Sequence, residues 1–164
     1  MAMRFVSAVA VVILGFSISA AAQNPQSNPP VPAPQGGRAA QPTPPCGPNL
    51  PADVKNVDKQ SRCFELRTYT VRPGGSIDLL HSRFRDHTTR LFKKHGMTIV
   101  GYWQPVTKPD TLIYLLAYKD TAARDASWAA FQTDPEWRKV VGEMVVPLQV
   151  ENVFMSATDY SPTK

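Results

Sequence analysis

The sequence is poor in cysteine and in long apolar runs, and both shortages exclude classes of protein. Two cysteines among 164 residues are too few for a disulfide-rich scaffold or for a four-cysteine zinc site. After residue 22, no apolar run is long enough to cross a bilayer. Glycine occurs nine times and without a Gly-X-Y period, which excludes a collagen-like chain. The hydrophobic fraction of 43% is enough for one folded domain with additional segments.

Motifs for common catalytic, metal-binding and nucleic-acid-binding chemistry are missing as well. The chain has no nucleophile elbow, no phosphate-binding loop and no zinc-finger spacing. Its three histidines, His81, His87 and His95, are six and eight residues apart, which does not place any two on adjacent turns of a helix. Residues 62–160 carry 13 basic and 11 acidic side chains, and the basic ones are dispersed. We therefore predict no metal site and no nucleic-acid partner.

The first 22 residues have the composition of a secretory signal peptide. Arg4 provides a positive start, residues 5–16 form an uncharged apolar run, and residues 20–22 are three alanines suited to cleavage. The apolar run of 12 residues is short for a membrane helix, although an uncleaved anchor is the alternative. We predict cleavage after Ala22, a periplasmic or secreted protein, and no membrane span in the mature chain.

A proline-rich segment follows, over residues 23–61. Ten of the chain's 16 prolines lie between Pro25 and Pro51, and aromatic residues are almost absent there. Such a segment cannot bury enough apolar surface to offset the entropy of ordering it, so we predict a disordered linker. Cys46 and Cys63 stand near its end. A lone pair of cysteines in an oxidising compartment tends to form a disulfide, which we predict here, with free thiols or a redox pair as alternatives.

From residue 62 to residue 160 the pattern becomes that of a folded domain. Strand-like alternation and helical periodicity follow one another, with turns at proline and glycine. They predict strands over 64–71, 97–104, 111–118 and 149–156, and helices over 76–95, 121–133 and from 135 to the proline at 147. This β-α-β-β-α-β order predicts an α+β, ferredoxin-like domain with both helical segments on one face of a four-stranded antiparallel sheet.

The second face of that sheet is expected to be uncovered and to meet another copy of the chain. Amphipathic strand residues suit a partly wet interface, and they are Arg67, Tyr69, Tyr102, Tyr114 and Tyr118. Glu65 shares its side of the first strand with Arg67 and Tyr69, so we place all three toward a dimer partner. There the charged pair would bind an anionic ligand or form a structural ion pair.

The first helix contributes the candidate catalytic residue. Its apolar stripe runs through Phe84 and Leu91, and Arg83 is assigned to the opposite, polar face. His87 is one turn from both stripe residues, so we expect it to point toward the sheet. It could serve there as a general base or a haem ligand, or simply form a hydrogen bond within the core edge. Trp103 is a candidate wall for a ligand pocket.

Five short segments, in order and at matching spacing, resemble the NIPSNAP family. They are FELRTYT at 64–70, LFKKHG at 91–96, VGYW at 100–103, LLAYKD at 115–120 and DPEW at 134–137. The resemblance implies a dimeric α/β barrel, in which two ferredoxin-like sheets pack face to face. The superfamily it implies also contains cofactor-independent monooxygenases and haem-degrading enzymes, while NIPSNAP proteins themselves share no well-defined reaction.

The resemblance and the domain pattern together lead to a functional expectation. We predict an exported, homodimeric NIPSNAP-like protein that binds a small apolar or aromatic molecule in a pocket between sheet and helices. A cofactor-free or haem-linked monooxygenase and a non-catalytic protein-interaction module are the alternatives. No cofactor is evident in the sequence, and only the oxygenase alternative introduces haem. The predicted ligand-binding residues are Arg67, Tyr69, His87, Trp103 and Tyr114, with His87 as the candidate catalytic group.

Overall fold

The structure, a computed structural model, describes residues 42–48 and 50–164. The predicted signal peptide and the first part of the predicted linker lie outside these described residues. The elements in chain order are β1 (Cys63–Val71), α1 (Ile77–Arg83), a π-helical turn (Phe84–Thr88), α2 (Thr89–Lys94), β2 (Thr98–Trp103), β3 (Thr111–Tyr118), α3 (Thr121–Thr133), α4 (Pro135–Glu143) and β4 (Leu148–Ser156).

The four strands form one antiparallel sheet in the order β2-β3-β1-β4. The central strands β1 and β3 pair so that Arg67 lies opposite Tyr114, and Asn152 of β4 flanks Arg67 on its other side. The α3 side chains contact Glu65 of β1, and Phe84 of the π-helical turn contacts Tyr114 of β3. These two strand residues lie on the same face, so the helices cover one face of the sheet. The structure thus confirms the α+β class and the predicted order of elements.

The helices begin and end where the sequence contains capping residues. The side chain of Ser76 accepts a hydrogen bond from the Leu79 amide at the start of α1, and Asp120 accepts one from the Ala123 amide at the start of α3. Gly96 follows α2 with a φ of 76°, a left-handed conformation that glycine adopts at low cost. These local signals explain why the predicted boundaries lie close to the observed ones.

The first helical segment contains a π-helical turn that the sequence pattern did not predict. The Thr89 amide donates to the Phe84 carbonyl five residues earlier, and the Thr88 hydroxyl donates to the Arg83 carbonyl at 3.2 Å. A π turn contains one residue more than an α-helical turn, so positions after it are rotated relative to a regular helix. Thr88 is therefore 1% exposed, while the neighbouring His87 is only half-buried.

The structure corrects the side of the sheet to which the polar strand residues point. We placed them toward a dimer partner, but they face the helices. Glu65 is 0% exposed, Arg67 is 8% exposed and Tyr114 is 0% exposed. The helix layer can bury this carboxylate because Arg124 of α3 donates to it. The full set that lies on the helix-covered face is Arg67, Tyr69, Tyr102, Tyr114 and Tyr118.

The other face of the sheet carries the alternate, mostly apolar residues. Leu66 of β1 lies between Leu115 of β3 and Val153 of β4, and Val153 is 52% exposed. Trp103 of β2 lies on the same face, 51% exposed, with its ring over Gly101, where a Cβ atom would come within 2.7 Å of it. We call the set 66, 103, 113, 115 and 153 the open face.

Residues at the end of the predicted linker pack against the domain. Cys46 is 3% exposed and forms a disulfide with Cys63, the first residue of β1, with Cα atoms 4.6 Å apart. The amide of Gly47 donates to the Ser156 hydroxyl at 2.8 Å, and Val57 forms a β-bridge with Thr158. Those residues of 42–61 that the structure describes therefore belong to the same compact unit as the sheet.

Candidate functional site

A buried carboxylate lies at the centre of the contact between the sheet and α3. Alternation along β1 points Glu65 at this layer, and two residues one turn apart on α3, Arg124 and Trp128, point back at it. One oxygen of Glu65 accepts from Arg67 at 2.6 Å, and Arg124 donates to both oxygens at 2.9 Å. The Trp128 indole and the Tyr118 hydroxyl add donors at 2.9 and 3.2 Å. Five hydrogen bonds from four side chains thus satisfy one carboxylate.

The electrostatics of this cluster keep Glu65 ionised. Burial alone raises the pKa of a carboxyl group, but the hydrogen bonds and charges of Arg124 and Arg67 more than offset it, and the pKa of Glu65 lies below its usual value. Burial and the neighbouring Glu65 charge raise the pKa of Tyr118. Tyr118 therefore stays protonated and remains a hydrogen-bond donor.

Arg67 connects this carboxylate to two tyrosines. Its Nε donates to the Tyr114 hydroxyl at 2.9 Å and one Nη donates to the Tyr69 hydroxyl at 3.2 Å. Its guanidinium also lies 4.3 Å from the centre of the Trp128 ring, within range of a cation–π contact. These contacts, together with the bond to Glu65, hold the Arg67 guanidinium in one orientation.

Beside this network a partly open cavity of about 260 Å³ lies between the sheet and the helices. Its polar lining includes Arg67, Tyr69 and Arg83. The aromatic lining comes from both helical segments, namely Phe84, Phe92, Trp128, Phe131 and Trp137. Cavities of roughly this size, mainly apolar with a few convergent polar groups, are typical of small-molecule sites.

Arg83, the last residue of α1, is buried at the edge of this cavity. It is 3% exposed, its Nη1 donates to the Met144 carbonyl at 3.2 Å, and its guanidinium lies 5.7 Å from the centre of the Trp137 ring. Its Nε is buried and has no hydrogen-bond partner among the described residues. Burial lowers the pKa of Arg83, yet an arginine remains charged at neutral pH.

The cavity brings together only part of the predicted set of ligand-binding residues. Arg67 and Tyr69 line it, and Tyr114 lies behind them through its bond to Arg67. His87 is half-buried on the π turn and does not line this cavity, because Thr88 occupies the inward position there. Trp103 lies on the open face and does not line this cavity, but it lines a separate one of about 350 Å³ at the β2 edge, with Phe84 and Tyr102.

Two arginines of the site were missed by reasoning from the sequence. We assigned Arg83 to the polar face of the first helix, and its 3% exposure corrects that assignment. Its spacing was a usable signal, since it follows the buried Leu80 by three residues and directly precedes the buried Phe84. Arg124 is the second missed arginine. Its signal was the spacing of four residues to Trp128, which places both side chains on one side of a helix.

Residues 42–48 and 50–164 contain neither a cluster of metal-binding side chains nor a helix that could span a membrane. In that part of the chain no three or more histidine, cysteine or acidic side chains come together as a metal ion would require. No helix described there is both long enough and apolar enough to cross a bilayer.

Comparison with known proteins identifies the domain. A structure of a NIPSNAP family protein of unknown function from Agrobacterium tumefaciens superposes with a TM-score of 0.60 at 21% identity, covering 66% of this chain and 99% of that one. An uncharacterised NIPSNAP-like domain protein from Burkholderia xenovorans gives a TM-score of 0.55 at 20% identity, over 62% of this chain and 89% of that one.

A second NIPSNAP family protein from Agrobacterium tumefaciens also gives 0.55, at 19% identity, over 63% of this chain and 99% of that one. No curated protein matches the chain. The family model named NIPSNAP matches residues 64–162, more than half of the sequence. The chain therefore belongs to the NIPSNAP family.

Proposed function

We propose that this protein is an exported, homodimeric NIPSNAP domain that binds a small aromatic molecule in the cavity between its sheet and helices. The observation that carries the proposal is the cavity itself, in which aromatic rings from two helical segments surround buried polar groups. A protein that served only as an interaction module would be expected to fill this layer with core side chains. The cavity favours ligand binding over that alternative.

The aromatic walls suit a planar ligand. The rings of Phe131 and Trp137 lie 4.4 Å apart at 35°, and Trp128 approaches Phe131 edge-on with centroids 5.6 Å apart. A ligand ring that packs against the parts of these side chains facing the cavity gains offset-stacked or edge-to-face contacts in addition to burial. The polar groups that line the cavity would then fix its orientation.

Dimerisation is supported by the open face. Apolar side chains of four strands share this face without cover from the helices, and Trp103 and Val153 are each about half exposed. Exposed apolar patches of this kind mark protein interfaces. A second copy is the natural occupant because a two-fold axis pairs the same patch on both chains.

Export is supported by the sequence of residues 1–22 and by the Cys46–Cys63 disulfide. Disulfides persist in oxidising compartments such as the periplasm or the extracellular space. The bridge joins the proline-rich segment to β1, which is consistent with a domain carried on a tether outside the cytosol.

The ligand proposal is tested with a panel of small aromatic probes that includes indole, benzamide and benzoate. We expect at least one probe to raise the melting temperature of the full mature chain, because a ligand that binds only the folded state stabilises it. Val141→Phe narrows the cavity, which Val141 lines, and should reduce that shift. Val145→Phe is the matched control, since Val145 is 67% exposed and does not line the cavity. No shift with any probe would reject the proposal.

A further inference from the structure

The charge balance around the cavity is uneven. Three arginines are buried or largely buried there, and Glu65 is the carboxylate that pairs with two of them, Arg67 and Arg124. Arg83 takes part in none of the ion pairs among the described residues. Its neighbours are a backbone carbonyl and the face of a tryptophan. Arg83 is therefore the one arginine of the three that no described carboxylate pairs with.

Such an arrangement is costly unless an anion takes part in it. Buried charged groups in proteins are normally paired and fully hydrogen-bonded. Arg83 is 3% exposed, and its Nε lacks a partner among the described residues while the side chain lines the cavity. Glu65 cannot take this role, because Arg67, Arg124, Trp128 and Tyr118 already donate to its two oxygens.

The size and walls of the cavity restrict the anion. About 260 Å³ holds a single-ring compound and little more. Trp137 links the aromatic wall to the buried charge. The centre of its ring lies 4.4 Å from that of Phe131 and 5.7 Å from the Arg83 guanidinium. An aromatic ring packed against the cavity side of the Phe131–Trp137 pair would bring an attached carboxylate toward Arg83, whose planar donor geometry suits a carboxylate.

We propose that the cavity binds a small aromatic carboxylate, with Arg83 pairing its charge and the Phe131–Trp137 wall contacting its ring. This inference rests on the proposed function, because it names the ligand class of the same cavity. It assigns different roles to the two arginines that line the cavity. Arg67 is held by protein groups, whereas Arg83 recognises the ligand.

The test compares benzoate with benzamide, which has the same ring and nearly the same shape but no charge. Dissociation constants for the full mature chain are measured by calorimetric titration. We expect benzoate to bind at least about tenfold more tightly than benzamide, as charge-assisted hydrogen bonds are about twice as strong as neutral ones. Arg83→Met should remove that preference by weakening benzoate binding far more than benzamide binding.

Arg85→Met is the matched control. Arg85 is an exposed arginine two residues away that does not line this cavity, so the variant should keep the preference for benzoate. Arg83→Lys keeps the charge but loses the planar fork, and it should weaken benzoate binding at least about threefold, by more than it weakens benzamide binding. This variant tests the inference even if Arg83→Met does not fold.

The outcomes separate the two proposals. Equal affinity for benzoate and benzamide would overturn the role of Arg83 and leave a neutral aromatic ligand standing. A preference for benzoate that survives in Arg83→Met would overturn the role of Arg83 and leave the charge to another group. Failure of both probes, together with the rest of the aromatic panel, would overturn the proposed function itself.

Discussion

Replacing Glu65 by glutamine is the sharpest perturbation of the buried network. The substitution keeps the size of the side chain but removes its charge and turns one acceptor oxygen into a donor group. At least one of the donors now aimed at Glu65 from Arg67, Arg124, Trp128 and Tyr118 would then face an NH₂ group. Two guanidinium groups would remain with no carboxylate between them.

The size of the effect follows from burial. The side chain of Glu65 is 0% exposed, and those of Arg67 and Arg124 are 10% and 14% exposed. Breaking a buried ion pair by removing one partner costs about 3–5 kcal/mol. Domains of this size have free energies of unfolding of about 5–15 kcal/mol. We expect Glu65→Gln to remove a large share of that and to lower the melting temperature by about 10–20 °C.

The assay is urea and thermal unfolding followed by circular dichroism. Glu136→Gln is the matched control, because Glu136 pairs with Arg90 at the surface with both side chains more than a third exposed. Exposed pairs contribute about 0–1 kcal/mol. A Glu65→Gln variant within about 1 kcal/mol of the wild type would refute the reasoning that the network stabilises the fold.

The pH dependence of the stability of the wild type and of Glu65→Gln tests whether folding lowers the pKa of Glu65. The pKa of Glu65 is lower in the folded state than in the unfolded chain. Its contribution to stability is therefore present above the unfolded value of about 4.3 and is lost as the pH falls through the folded value. The wild type should lose its advantage over Glu65→Gln below about pH 4, and a constant difference down to lower pH would contradict this.

Three further predictions concern the dimer, the disulfide and export. Leu115→Asp, on the open face, should convert a dimer into a monomer as measured by light scattering, while the surface control Val145→Asp should remain a dimer. A wild type that is monomeric at micromolar concentration would reject the dimer. Thiol titration of the denatured, unreduced protein should find no free thiol at Cys46 or Cys63, and the double alanine variant should lose about 2–4 kcal/mol of stability; two reactive thiols would contradict this. N-terminal sequencing of the exported protein should start at Gln23, and a chain that retains Met1 would show that residues 1–22 are not removed.

The order of the elements and most of their bounds could be predicted because local signals determine them, although α4 ends at Glu143 and not at the proline at 147. Asp134 followed by Pro135 starts α4, and the observed β3 and α3 have the predicted bounds. Such signals act within a few residues, so no knowledge of tertiary contacts is needed to interpret them. The NIPSNAP resemblance drew on the same short segments and is confirmed by the family match over residues 64–162.

The composition of the site was harder to predict because it depends on contacts between elements. Alternation correctly grouped Glu65 with Arg67, but both sides of β1 contain apolar or amphipathic residues, so alternation alone could not show which side the helices cover. The partner that decides this, Arg124, lies 59 residues away along the chain. Likewise, a regular 3.6-residue period predicted His87 at a position that the π turn gives to Thr88.

The two arginines that line the cavity show how burial alone fails to separate stability from function. Arg67 and Arg83 are both less than a tenth exposed, and both contact a tryptophan ring. They differ in their partners: Arg67 donates to Glu65, Tyr69 and Tyr114, whereas Arg83 has one backbone carbonyl and an unpaired Nε among the described residues. A side chain whose hydrogen bonds are all made within the protein serves the fold. A buried charge whose bonds are not all made there weakens the fold, and binding an anion is the role that would compensate for that cost.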